Sequence, residues 1–250
     1  MKTALVTGAG DRLGKAMALR LGEQGYAVAI HYNRSAKKAD DVAAAITANG
    51  GNAVTLQADL SKEEETAKLI KAASSALGPI SLLVNSASRF EPDEIDTMTR
   101  DSWDAHIETN LRAPLKLAQD FAAQAPANAN NLIVNLIDQR VWKLTPQFLS
   151  YTLSKAALLT LTQTLAQALG PAGTRVNAIG PGPTMRNTRQ SEEDWRKQNE
   201  ATVLGHGATP DDICGALSYL IDARAVTGQM IAVDGGQHLA WQTPDVMINE

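Results

Sequence analysis

Short β-branched runs alternate with longer amphipathic stretches along the whole chain, and this alternation limits the possible folds more than any single motif. Strands are expected over 3–7, 27–31, 53–57, 82–85, 132–137, 175–179 and 230–233. Helices are expected over 13–23, 36–49, 62–77, 101–124, 151–169, 192–200 and 210–221. Such a pattern calls for right-handed strand–helix–strand crossovers and a parallel sheet covered on both faces. The strand segments read as nearly continuous apolar runs, as burial on both faces requires. The helix that starts at Tyr151 is expected to stop at Gly170, in a left-handed conformation, with Pro171 barring its continuation. No linker, repeat or compositional break divides the 250 residues, so one domain over 1–250 is expected. The least regular span carries Pro181, Gly182, Pro183 and many charges, and its 183–209 part is expected to be a substrate lid.

The first apolar run, Ala4-Leu5-Val6, leads into Thr7-Gly8-Ala9-Gly10-Asp11-Arg12-Leu13-Gly14. A glycine-rich turn between a strand and a helix lets backbone N–H groups approach a pyrophosphate where the helix dipole favours negative charge. That makes the doubly wound sheet Rossmann-type and names a dinucleotide as the cofactor class. Arg12 stands where a third glycine is usual. The end of the second strand then chooses between cofactors. An acidic residue there would bind a ribose 2′-OH and repel a 2′-phosphate. The segment His31-Tyr32-Asn33-Arg34-Ser35 has none; Arg34 offers a guanidinium fork, and Asn33 and Ser35 offer neutral donors. Arg12 is placed to reach the same phosphate or the pyrophosphate. NADPH is therefore the expected cofactor.

Composition removes other classes. The chain is 44% hydrophobic and 20% charged with a net charge of −4, which gives no electrostatic basis for a nucleic-acid or membrane-surface partner. The lone Cys214 forbids an internal disulfide and suits a reducing compartment. There is no signal-peptide pattern at the start and no apolar run of about 18 residues. A cytoplasmic protein with a small-molecule substrate and no metal is expected.

Tyr151 and Lys155 lie four apart, on one helix face. A phenol of pKa near 10 is a poor acid–base at neutral pH, and a neighbouring ammonium is expected to lower it. With these residues in view, the chain resembles the short-chain dehydrogenase/reductase family along its whole length. The resemblance implies the following roles. Gly8, Asp11, Arg12, Leu13 and Gly14 form the cofactor turn, and Asp59-Leu60 lies against adenine. Asn85-Ser86-Ala87 follows the fourth strand, and Pro181, Gly182 and Thr184 touch the nicotinamide carboxamide. His31, Asn33, Arg34 and Ser35 complete the cofactor site. Tyr151, Lys155 and Asn110 carry catalysis and its proton relay. A homotetramer is also implied, with the helices near 101–124 and 151–169 packing across a two-fold axis.

Two departures are informative. The family's serine, thirteen residues before the tyrosine, is here Asp138, and Arg12 replaces a glycine. Both resemble the pteridine reductase and dihydromonapterin reductase branch, which carries an Asp–Tyr–Lys triad and stacks its substrate on an aromatic ring after the fourth strand. Phe90 is the candidate ring, Ser88 a polar contact, and Trp142 with Leu144 a candidate apolar wall; Trp103, Trp195 and Trp241 read as packing or interface residues. An ionised aspartate would repel a developing alkoxide, whereas a pterin offers donors to it. The expected activity is NADPH-dependent hydride transfer to a pterin ring. The alternatives are a carbonyl or 3-oxoacyl reductase, and more remotely a non-enzymatic NADP(H) sensor.

Overall fold

The computed structural model describes residues 2–127 and 129–241. Strand β1 (Lys2–Val6) is followed by α1 (Arg12–Glu23), β2 (Tyr26–Tyr32), α2 (Ala36–Ala48), β3 (Ala53–Gln57), α3 (Glu63–Leu77) and β4 (Leu82–Asn85). Next come α4 (Arg100–Ile107), a π-helical turn (Glu108–Arg112), α5 (Ala113–Gln124), β5 (Asn131–Leu136) and α6 (Leu149–Leu169). The chain ends with β6 (Thr174–Pro181), α7 (Glu192–Glu200), α8 (Pro210–Asp222) and β7 (Met230–Val233). The seven strands form one parallel sheet in the order β3-β2-β1-β4-β5-β6-β7. Every expected strand and helix is present, with ends displaced by at most two residues.

One face of the sheet packs against α1, α2 and α8, through Met17, Leu21, Val42, Ile46, Ile213 and Leu217. The other packs against α3 and α5, through Leu69, Ile70, Leu117 and Phe121. The central strand residues Leu5, Val28, Leu83, Val84, Ile133 and Val134 are fully buried, which is why these strands show no polar alternation. Strand order reverses between β1 and β4, so the crevice lies beyond their carboxyl ends.

Three local expectations are corrected. The helix expected over 101–124 is interrupted, because the Ala113 N–H bonds the Glu108 carbonyl five residues back and opens a π turn around the buried Asn110. Such turns are rare and cluster at functional sites. Gly170 is not the left-handed stop. It stays right-handed (φ −54°) and leads into a short 3₁₀ turn, and Gly173 (φ +79°) makes the reversal. The 183–209 span is less irregular than its composition suggests, since it contains α7.

Candidate active site

Six segments at strand carboxyl ends converge on a cleft of about 890 Å³. They are the glycine turn after β1, residues 33–35 after β2, residues 59–61 after β3, residues 86–90 after β4, residues 137–140 after β5 and residues 181–184 at the end of β6.

At the cofactor end the turn is shaped to take a diphosphate. Gly8 has φ +65°, and a Cβ on it would lie 2.9 Å from the Ala87 Cα. A Cβ on Gly14 would lie 2.3 Å from the Gly8 carbonyl oxygen. Neither position admits a side chain, so the turn packs backbone against backbone beside the cleft. His31 stands behind the turn, fully buried. Its Nδ1 accepts from the Gly8 N–H at 3.1 Å and its Nε2–H donates to the Ala58 carbonyl at 3.1 Å. Burial pushes its pKa down, so the ring is neutral and acts as a clamp. Asp11 caps α1 through the Arg12 N–H and is paired with Lys38, whose hydrogen bond holds the carboxyl pKa down. Lys38, which sequence reasoning passed over, thus offsets the acid of the glycine turn. Asn33, Arg34 and Ser35 are exposed and line the cleft with Asp59 and Leu60.

Arg12 takes a different course from the one expected. Its backbone is left-handed (φ +48°), a conformation that costs a side-chain-bearing residue about 1–2 kcal/mol. Its guanidinium crosses the cleft and donates to the Met185 and Arg186 carbonyls at 2.8 and 3.0 Å. The glycine turn is thereby fastened to the 183–209 span. Gly182 donates to the Val233 carbonyl at 3.1 Å, and Thr184 Oγ1 to the Gly182 carbonyl at 3.0 Å. Asn85 is buried; its Nδ2 donates to Asn135 Oδ1 at 2.8 Å, tying β4 to β5 below Ser86 and Ala87.

At the chemical end the Tyr151 hydroxyl donates to Asp138 Oδ2 at 2.8 Å. The other oxygen, Oδ1, accepts from the Arg140 N–H at 2.8 Å, so Asp138 both caps the 3₁₀ turn Gln139–Val141 and faces the tyrosine. Burial raises the Asp138 pKa against these two hydrogen bonds. Burial also holds the Tyr151 pKa well above its usual value, with the Asp138 charge adding to it. The expected lowering of the phenol by Lys155 is therefore corrected: the arrangement keeps Tyr151 protonated. The Lys155 ammonium is 2% exposed, donates to the Leu136 carbonyl at 2.7 Å, and has its pKa lowered by burial to about 8.

Asn110 is tied to its surroundings through its side chain. Its Nδ2 donates to the Arg89 carbonyl and Ser154 Oγ, both at 3.0 Å, and its Oδ1 accepts from the Arg89 N–H at 2.7 Å and from Ser88 Oγ at 3.2 Å. The side chain fixes the loop after β4 against α6 and bonds neither Tyr151 nor Lys155. Phe90 lies in the cleft, edge-to-face with Tyr151 at 4.7 Å between centroids. Trp142 does not wall the slot: it packs on His238 at 5.1 Å, half-exposed, and is absent from the cleft lining. Trp195 and Gln198, on the inner side of the strongly charged α7, line the cleft instead. Only the i, i+3 spacing of Trp195 and Gln198 in a charged helix signalled this.

The start of α6 is set from outside the helix. Its first cap position is Phe148, which has no capping side chain. The Ser150 N–H bonds Asp93 Oδ1 at 3.1 Å, the Leu149 N–H bonds the Asp93 carbonyl at 3.1 Å, and the Ser150 and Ser102 hydroxyls both donate to Asp93 Oδ2. Asp93 is 2% exposed; burial opposes its charge, yet the donors from Ser150 and Ser102 outweigh this and hold its pKa down. His106, also buried, accepts from the Glu91 N–H at its Nε2 and directs Nδ1–H to the Ser102 carbonyl and Ser150 Oγ. Asp93 thus replaces the missing cap of the helix that carries Tyr151 and Lys155.

Comparisons with known proteins agree with this geometry. A family model described as enoyl-(acyl carrier protein) reductase matches residues 8–238. The chain is 33% identical over 242 residues to the 3-oxoacyl-[acyl-carrier-protein] reductase FabG of Staphylococcus epidermidis, covering 95% of this chain and 99% of that relative. It is similar to the crystal structure of FolM alternative dihydrofolate reductase 1 from Brucella canis complexed with NADP, with a TM-score of 0.94 and 47% identity over 98% of this chain and 97% of that one. The Brucella suis counterpart, also in complex with NADP, gives 0.93 and 48%, covering 98% of each chain. These matches span nearly the whole length, and the chain belongs to the short-chain dehydrogenase/reductase family.

Proposed function

We propose that this protein is an NADPH-dependent reductase of a pterin ring. The observation that carries the reading is the Asp138–Tyr151 hydrogen bond at 2.8 Å, in which a carboxyl oxygen stands beside the tyrosine and accepts from it. A carboxyl here serves a substrate rich in N–H donors and poorly serves a ketone whose oxygen gains negative charge. The FolM structures, at 47% and 48% identity, support the same substrate class.

The exposed Arg34 with Asn33 and Ser35 would hold the 2′-phosphate, the glycine turn the diphosphate, and Lys155 the nicotinamide-side ribose. NADPH supplies the hydride when bound. Tyr151 holds a proton and gives it to a ring nitrogen, Asp138 orients the ring through its amino-pyrimidine edge, and Phe90 provides the stacking surface. Ser88 contacts the substrate edge, and Asn110 keeps the loop carrying both in place. The protein acts as a single domain with 183–209 as its lid. We read it as a cytoplasmic homotetramer: the buried free thiol of Cys214 suits a reducing compartment, and Leu153 exposes an apolar side chain on the outer face of α6. The 33% identity to 3-oxoacyl reductases favours a second reading, reduction of a thioester ketone.

The test is to follow NADPH absorbance with dihydromonapterin and dihydrobiopterin beside a panel of ketones and 3-oxoacyl thioesters. Saturable turnover confined to the pterins is expected. Turnover confined to the carbonyls would replace the pterin reading with the second one.

A further inference from the structure

Phe148 is the residue in the described structure whose geometry the chemistry above leaves unexplained. It occupies the first cap position of α6 in the left-handed region, φ +58° and ψ +50°. Helix caps ordinarily sit in the extended region with a polar side chain that accepts from the helix N–H groups. Phe148 has neither property, and Asp93 provides the hydrogen bonds it cannot. A bulky residue in this conformation is an outlier, and such outliers persist where the surroundings enforce them.

What the conformation achieves is visible in the ring. Phe148 lies against Phe90 with centroids 4.4 Å apart and planes within 8° of parallel. The Arg140 guanidinium lies over the Phe148 ring at 5.2 Å, and the Arg189 guanidinium over the Phe90 ring at 5.5 Å. Arg140 is the residue whose N–H holds Asp138, and Arg189 is bonded to the Phe90 carbonyl and to Glu91. Two rings and two cations therefore form one group that joins the Asp138 loop to the loop after β4. Phe90 lines the cleft, whereas Phe148 is absent from the cleft lining.

We infer that Phe148 is a positioning residue for planar substrates: it backs one face of Phe90 and fixes that ring, so that a flat heterocycle taking the place of the Arg189 guanidinium over it meets a rigid stacking surface. Phe148 touches no substrate and acts through Phe90. The inference rests on the pterin reading for the identity of the heterocycle, and on the geometry alone for the role of the ring. The selectivity it confers is for flat over non-planar substrates.

The test uses the full chain loaded with NADP⁺, so that nothing turns over, and oxidised pterin as a fluorescent probe. Phe148→Ala keeps a side chain in the left-handed backbone and removes the ring. Phe148→Gly removes both the ring and the backbone conflict, and Phe148→Tyr keeps the ring. Pterin Kd is expected to rise at least tenfold in the alanine and glycine variants and to stay within threefold in the tyrosine variant, with NADP⁺ Kd unchanged in all three. A general loss of structure would move both constants together, and overturns the inference. So does a glycine variant that binds pterin like the wild type, since backbone strain rather than the ring would then be at issue. If the wild-type complex binds no pterin, the pterin reading fails, and the same variants are compared with a planar naphthoquinone and an aliphatic diketone. A tenfold loss confined to the quinone keeps the ring assignment; equal effects on both refute it.

Discussion

Replacing Lys155 by methionine should make the protein more stable while abolishing its reaction. Lys155 is 2% exposed, and burial lowers its pKa from 10.5 to about 8. A fall of about 2.5 pH units corresponds to a cost of about 3 kcal/mol for carrying the charge at pH 7. Methionine fills much the same volume without that cost, but leaves the Leu136 carbonyl without its 2.7 Å partner, a loss of about 1 kcal/mol. The net gain is about 2 kcal/mol, or about 4–8 °C in Tm for a chain of this length. The sign with pH follows from the depressed folded-state value. Below pH 8 the penalty is fully present. Between about 8 and 10.5 the unfolded chain still holds the proton while the folded one has released it, so wild-type stability recovers as pH rises. At pH 9.5 the remaining penalty is about 1.4 kcal/mol, which the lost hydrogen bond nearly cancels. Thermal melts of both proteins without cofactor at pH 7 and 9.5 measure the difference. Equal Tm values at pH 7, or an advantage that persists undiminished at pH 9.5, refute the claim that the ammonium is costly where it sits.

Two further substitutions probe the site. Arg34→Glu places an acid at the end of β2 and should raise the NADPH KM by at least about tenfold, measured by steady-state kinetics against NADPH and NADH; an unchanged NADPH KM would remove Arg34 from phosphate binding. Tyr151→Phe leaves the ring contact with Phe90 but removes the proton donor, so kcat should fall by about 10³-fold with NADPH Kd unchanged; surviving turnover would mean that another group supplies the proton.

The elements and their order were legible because they rest on local periodicity and on the two-sided burial of the sheet. The glycine turn, Tyr151 and Lys155 were legible because their chemistry fixes their spacing. What escaped reading depends on partners distant in sequence. Nothing near Asp93 marks it as the cap of a helix that begins 56 residues later; only the folded chain brings it to Leu149 and Ser150. Gly170 carries the usual stop signal, yet the turn runs on to Gly173. Arg12 stands out in the sequence, but its direction is decided by carbonyl groups 173 and 174 residues away. The phenol of Tyr151 illustrates a different limit: a neighbouring ammonium in the sequence says nothing of how far burial and Asp138 outweigh it.

The two arginines that fasten the 183–209 span differ in kind. Arg12 holds it to the cofactor turn through neutral carbonyl groups, whereas Arg189 holds it to the loop after β4 through a half-exposed ion pair with Glu91, at 2.7 Å, as well as through the Phe90 carbonyl. Dissolved ions screen an exposed pair over about 8–10 Å at ordinary ionic strength and act far less on bonds to neutral acceptors. Rising salt is therefore expected to weaken the Arg189 tether ahead of the Arg12 one, so that ionic strength acts unequally on the two ends of a shared crevice.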